Sequence, residues 1–247
     1  DVCSSDLIFS QFKPSTSTYF NEKLPFNLTD GQKLALGDIK KDVKSGRQMN
    51  RLIQGDVGAG KTIVAMGALL MAKDNGYQSA FAAPTEILAE QHFHTLSQHL
   101  EGLNINVRLL VGGQKTKLRR DILTDIEGGT CDIVVGTHAI FQDKVKFHNL
   151  GLAIIDEQHR FGVKQRAELL NKGEHPHVLV MSATPIPRSL AMTLYADLDV
   201  SIIKGLPLGR KPIETAIRSD KKRDEVFHFV GQEISEGGQV YVIYPLV

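Results

Sequence analysis

The sequence predicts an α/β fold, a parallel sheet doubly wound with helices on both faces. Three observations predict it. Short strand-like apolar runs recur at 51–54, 79–83, 107–111, 132–135, 152–155 and 178–181; the run at 152–155, "LAII", is apolar on every residue, as in a strand buried on both faces. Helical stretches such as 62–72 and 86–100 separate them, and strand alternating with helix argues for parallel pairing. The third observation is a glycine-rich turn, "GDVGAGKT" at 55–62, lying between a strand and an apolar helix.

Taken in order, the chain opens on "DVCSSDL", which is what the codons GAC GTG TGC TCT TCC GAT CT(N) encode. That string reads as a sequencing adapter, so residues 1–7 are set aside as a library artefact. Residues 8–23 carry Ser, Thr and Pro without a period, so 1–23 is expected to be a linker or frayed arm. A domain is expected at 24–207. The stretch 204–212, "KGLPLGRKP", with two prolines, two glycines and three basic residues, is the best linker. Beyond it a charged helical stretch leads into "GGQVYVIYPLV", expected to be a strand. The chain stops inside that strand, so 208–247 is expected to be the incomplete start of a second lobe.

With 247 residues, 42% apolar and 23% charged, the chain has the composition of an ordinary globular protein and can bury a full core. Its net charge of +1 points neither to nucleic acid nor to an anionic membrane. No apolar run approaches the ~18 residues of a membrane span, and the first residues lack the features of a secretory signal. Cys3 and Cys131 form no C-x-x-C pair. A cytoplasmic setting is expected.

The turn at 55–62 is the strongest signal. Its glycines let successive backbone N–H groups face a phosphate at the positive end of the following helix. The loop residues Gly55, Asp56, Val57, Gly58, Ala59, Gly60, Lys61 and Thr62 are therefore expected to bind ATP. Lys61 would meet the β and γ phosphates and the Thr62 hydroxyl would meet Mg²⁺. A dinucleotide fingerprint fails, because Ile63 replaces the third glycine.

Such a loop needs an acidic group on another strand end. "LAIIDEQH" supplies Asp156, assigned to Mg²⁺, and Glu157, assigned to orienting and deprotonating the attacking water. Capping of the next helix is a second role open to Asp156. His159 has no Cys or His at zinc-ligand spacing. His92, His94, His175 and His177 read as surface or core residues. "MSATPIP" places Ser182, Ala183 and Thr184 at another strand end, either to sense the γ-phosphate through the acidic motif or to cap a helix near Ser189.

Together these motifs resemble the superfamily 2 helicases. The match rests on "LPFNLTDGQ", "GDVGAGKT", "PTEILAEQH", "GTHAIFQDKVKFHNLGLAIIDEQHRFGVKQR" and "MSATPIPRSLAMTLYADLDVSIIKGLPLGRKPIET", in order from about Leu24 to the C-terminus. Within that superfamily the runs are similar to bacterial helicases that remodel branched DNA. Transcription-repair coupling translocases share much of the pattern but usually read Asp-Glu-Glu-His at the acidic motif, so Gln158 favours the former.

The resemblance implies a RecA-like lobe followed by the start of a second. It implies adenine contact by Gln32 with Phe26 beside the base, although Thr29 and Gln32 also have capping-box spacing. It implies DNA-backbone contact by Pro84, Thr85, Gly112, Gly113, Gly136, Thr137 and His138, and coupling through Gln158, His159, Ser182, Ala183 and Thr184. The implied partner is duplex or branched DNA, bound by a monomer that meets single-strand-binding protein or replication and repair proteins at the bacterial nucleoid. The implied cycle closes two lobes on DNA when ATP and Mg²⁺ bind and reopens them after hydrolysis. The family's wedge domain and arginine finger are not among these residues, so the chain alone is expected to bind ATP weakly and hydrolyse it hardly at all. Rival readings are a P-loop small-molecule kinase and an ATP-gated DNA-binding module without turnover.

Overall fold

The computed structural model describes residues 7–11, 15–157, 163–184, 198–204 and 215–243. They divide into two compact units, Asp1–Pro207 and Leu208–Val247.

The first unit is built on a seven-stranded sheet in which every pairing is parallel. Its strands are β1 (Asn50–Gly55), β2 (Gln78–Ala82), β3 (Val107–Leu110), β4 (Ile133–Gly136), β5 (Leu150–Asp156), β6 (His177–Ser182) and β7 (Asp199–Ile203), in the spatial order 3-4-2-5-6-1-7. Six strands fall within a residue or two of the expected runs. The seventh was not expected. Among the described residues it pairs only with β1, and it keeps Asp199 and Ile202 exposed, so its apolar signal is broken.

Helices α1 (Ser15–Thr18), α2 (Asp30–Val43), α3 (Lys61–Asp74), α4 (Glu86–His99), α5 (Thr116–Glu127) and α6 (Val163–Leu170) surround the sheet. Alternate strand residues feed two large clusters and a small third one of Leu52, Val178 and Val180. Ile53, Phe81, Val135, Leu152, Ile154 and Met181 pack with Ile39 of α2, Leu69 of α3 and Leu96 of α4. Ala80, Ala82, Val134, Ala153 and Ile155 pack with Ile122 and Ile126 of α5 and Leu169 of α6. Residues 152, 154 and 156 share a parity, so Asp156 projects toward the α2–α4 face.

The N-terminal arm corrects the expectation of a frayed segment. Phe9 and Tyr19 are fully buried. Phe9 stacks on Tyr77 and sets its edge on His177. The Tyr19 hydroxyl meets His99 Nδ1 at 2.9 Å, and the Ser15 and Thr16 backbone N–H groups donate to the Asp74 carboxylate. The polar residues between these two aromatic anchors conceal them from any periodicity.

In the second unit, a short 3₁₀ turn, Asp220–Lys222, leads into α7 (Arg223–Ser235). Residues 238–243 form no strand, contrary to expectation. Tyr241 and Ile243 are 84% and 90% exposed. A β-rich composition makes a strand only where backbone groups find a ladder partner, and these residues have none among the described ones.

Candidate functional site

Because all seven strands run one way, their C-terminal ends share one edge, and nearly every candidate residue with described coordinates lies on it. Along that edge come Gly112 and Gly113 after β3, Gly136 and Thr137 closing β4, and Pro84 and Thr85 after β2. Asp156 and Glu157 follow at the end of β5, then Ser182 at β6 and the phosphate loop after β1. The acidic strand β5 therefore divides the candidate backbone-contact motifs from the candidate nucleotide motifs.

The loop from Gly55 to Thr62 curls through two left-handed glycines, Gly58 (φ 82°) and Gly60 (φ 83°). Gly60 is the N-cap of α3. A side chain at Gly60 would collide with the Gln32 side-chain amide nitrogen. Lys61 Nζ donates to the carbonyls of Gly55 and Asp56 at 2.7 and 3.0 Å. Its pKa is lowered from the ordinary lysine value by burial, against the opposing pull of Asp156, Glu157 and Asp56. The acidic pair thus lies within electrostatic reach of the lysine, as one shared centre requires. Val57 stands 67% exposed at the loop tip, and Thr62 opens the second position of α3.

Gln32 is 6% exposed and takes part in three hydrogen bonds. Its Oε1 accepts the Thr29 N–H at 3.0 Å, the Thr29 hydroxyl accepts the Gln32 N–H, and Gln32 Nε2 donates to the Ala59 carbonyl at 3.0 Å. The capping box is thus present, and its glutamine also braces the phosphate loop. Phe26 is 44% exposed. It lines a cavity of about 690 Å³ whose other walls come from Lys23, Pro25 and the C-terminal end of α4, not from the phosphate loop.

Asp156 is 9% exposed, and its Oδ2 lies 2.8 Å from His92 Nε2 on α4. The start of the helix that Asp156 could cap lies outside the described residues, which resume at Val163. His92 sits at the inner face of α4, as the surface-or-core reading allows: its ring tilts against Phe81 at 4.5 Å between centroids, and its Nε2 meets the acidic strand end. The signal was present in the spacing, since Ala89, His92 and Leu96 share the inward face of α4. The parity of Asp156 points to that same face.

Glu157 takes a left-handed backbone (φ 49°), uncommon for a residue with a side chain and worth about 1–3 kcal/mol of strain. That turn sends its carboxylate to the next strand end. Oε1 accepts the Ala183 N–H at 3.1 Å and Oε2 lies 3.5 Å from Ser182 Oγ. Ser182 Oγ is also 2.9 Å from Thr184 Oγ1. Gln158, His159 and Ser189 lie outside the described residues.

On the other half of the edge, Thr85 is exposed and caps α4, accepting the Leu88 N–H. Glu86 Oε1 accepts the Gly112 N–H at 3.0 Å. Thr137 is 2% exposed and its hydroxyl has no hydrogen-bond partner among the described residues, whereas His138 and Gly113 are exposed. Among the described residues no cluster of three metal-ligating side chains exists. The donors present, one carboxylate and one hydroxyl beside a phosphate loop, fit Mg²⁺, which keeps several waters and needs few protein ligands. No described helix is long and apolar enough to cross a membrane.

A parallel sheet with a phosphate loop and an acidic strand end on one edge is the nucleotide-binding lobe of a P-loop protein. Residues 29–193 match the DEAD/DEAH box helicase family, and the chain belongs to it. More particularly, it is 50% identical over 228 residues to the ATP-dependent DNA helicase RecG of Synechocystis sp., covering 92% of this chain and 27% of the relative. RecG of Thermotoga maritima is 49% identical over 228 residues, covering 92% and 29%. The chain spans about a third of the length of the curated relatives it matches, from 27% to 36%. The structure of RecG bound to a three-way DNA junction superposes with a TM-score of 0.84 at 44% identity, covering 96% of this chain and 32% of that one. The DNA-bound DUF1998 helicase MrfA shares the fold, with a TM-score of 0.61 at 17% identity over 81% of this chain and 31% of that one. These relatives favour neither the transcription-repair coupling alternative nor a small-molecule kinase.

Proposed function

We propose that residues 24–207 are the ATP-binding lobe of a DNA helicase that couples hydrolysis to remodelling of branched DNA such as stalled forks and Holliday junctions, with 208–247 beginning a second lobe. The single observation that carries this is the shared sheet edge, where β5 joins the nucleotide motifs to the backbone-contact motifs. The similarity to RecG supports branched DNA as the substrate.

In this reading the loop amides and Lys61 hold the β and γ phosphates, and Lys61 exchanges its two carbonyl partners for phosphate oxygens. Thr62 and Asp156 would hold Mg²⁺, Asp156 through water. When bound, that ion neutralises charge on the phosphate oxygens. Glu157 orients the attacking water and takes its proton, and its bonds to Ala183 and Ser182 carry the state of the site to the next strand. Gly113, His138, Pro84 and Thr85 present polar groups and helix starts suited to phosphate oxygens, which position DNA without reading its sequence; Gly136 and Thr137 belong to the same group but are buried, and shape the turn beneath them. Gly112 belongs to the same group, its N–H held by Glu86. Adenine contact by Gln32 and Phe26, relay by Gln158 and His159, a monomeric state, repair partners and a nucleoid location belong to the same proposal.

Steady-state ATPase of the full-length gene product, without DNA, with linear duplex and with a three- or four-way junction, tests it. Stimulation greatest on the junction is expected. Turnover that responds to a metabolite and ignores DNA would reverse the reading.

A further inference from the structure

We infer that His92 is a positioning residue for Asp156, and that through it the helix carrying the candidate DNA contacts is tied to the candidate Mg²⁺ site. The inference rests on the ATPase reading proposed above and adds to it a residue outside the acidic motif.

Helix α4 starts at the exposed edge with Thr85 as its N-cap, and Glu86 in its first turn reaches across to the Gly112 amide of the neighbouring loop. About two turns further on, the same helix presents His92 to Asp156 at 2.8 Å. Both side chains are nearly enclosed, 14% and 12% exposed. A helix of this length moves as a rigid body, so a displacement of its first turn carries His92 with it. The imidazole packs against Phe81 of β2, the strand paired with β5, and that contact restricts its rotation. Held by one oxygen, the Asp156 carboxylate keeps a single orientation, and its Oδ1 accepts no hydrogen bond among the described residues. Partners of this kind behind a metal ligand fix its geometry and typically govern metal affinity about 10–100-fold.

The plainer account makes His92 a core residue that happens to find a partner. The two accounts differ in what an apolar ring should do. Filling the space beside Phe81 needs no nitrogen, whereas positioning Asp156 does. H92F keeps the aromatic volume and removes the bond; H92Q keeps a donor on a shorter side chain. Mg²⁺ would be titrated into the full-length gene product with a fluorescent ADP analogue, and ATPase measured with and without a junction.

H92F is expected to raise the Mg²⁺ concentration for half-saturation about tenfold and to lower the stimulation by DNA, with wild-type junction affinity and melting temperature. H92Q should recover most of both effects. If H92F does not fold, H92L removes the same donor in a smaller volume and carries the same expectation. D156A serves as the control. If D156A abolishes the Mg²⁺ dependence and H92F leaves it unshifted, the inference on His92 falls and the ATPase reading stands. If D156A itself leaves the dependence intact, the ATPase reading falls.

Discussion

The side-chain amide of Gln32 donates to the carbonyl of Ala59, inside the phosphate loop, while its oxygen accepts the backbone N–H of Thr29. One side chain therefore closes the N-terminus of α2 and braces the loop. The two jobs separate by substitution. Gln32→Glu keeps the acceptor for Thr29, since glutamate also completes a capping box, but it cannot donate to Ala59. It is expected to melt below wild type, because a carboxylate would face the Ala59 carbonyl, and to bind ATP more weakly, about tenfold if one buried hydrogen bond near 1.4 kcal/mol is lost. Gln32→Ala should lose that affinity and about 1 kcal/mol of stability besides. Equal ATP affinity in all three proteins, by fluorescent-nucleotide titration, would remove the brace.

Glu157 makes the complementary case. Its left-handed backbone and its bond to Ala183 hold the carboxylate between two strand ends. Glu157→Gln preserves an oxygen that can accept from Ala183 but removes the base. Hydrolysis in the full-length gene product is expected to slow roughly 10²–10⁴-fold with ATP binding spared. Single-turnover measurement against a binding isotherm separates the two, and unchanged turnover would take Glu157 out of its assigned role.

Much of this was legible in the sequence because its signals are local. β5 is buried on all seven residues, and the phosphate loop announces itself by its own spacing. β7 was not legible: "DVSII" has one described strand neighbour and exposes two of its residues, so no apolar run marks it. The run at 238–243 misled in the opposite sense, since it has the composition of a strand without a described partner. His92 stands 64 residues from Asp156 in the chain, and only the adjacency of β2 to β5 places it there. The dual role of Gln32 was half legible, its cap from the Thr29 spacing and its contact with Ala59 only from the fold.

The arm yields a stability prediction. Phe9 is fully buried against Tyr77 and His177, and its backbone N–H donates to the Val43 carbonyl. Phe9→Ala is expected to cost about 3–5 kcal/mol, and Tyr19→Phe about 1 kcal/mol through the lost contact to His99. Urea unfolding should show both as lower midpoints with an unchanged slope. A Phe9→Ala protein with the wild-type midpoint would mean that the arm does not pack in solution.

Cys131 gives a test that depends on pH. Its thiol is fully buried, and burial pushes its pKa from 9.0 up to about 12. Arg108 and a backbone hydrogen bond from Ile133 oppose that rise without offsetting it, and Asp132 and Asp125 add to it. The folded state therefore holds a proton that the unfolded chain releases near 9.0. Its contribution to stability is fully present below that pH and is lost as pH climbs toward about 12. In a Cys3→Ser background, an aromatic disulfide reagent at pH 8 should leave Cys131 unmodified in the native protein and react at once in urea. Cys131→Ala, which removes the titrating group, should flatten the fall in stability between pH 9 and pH 11 relative to its parent. Rapid modification of the native protein, or an alkaline limb identical in both proteins, would contradict the buried, protonated thiol.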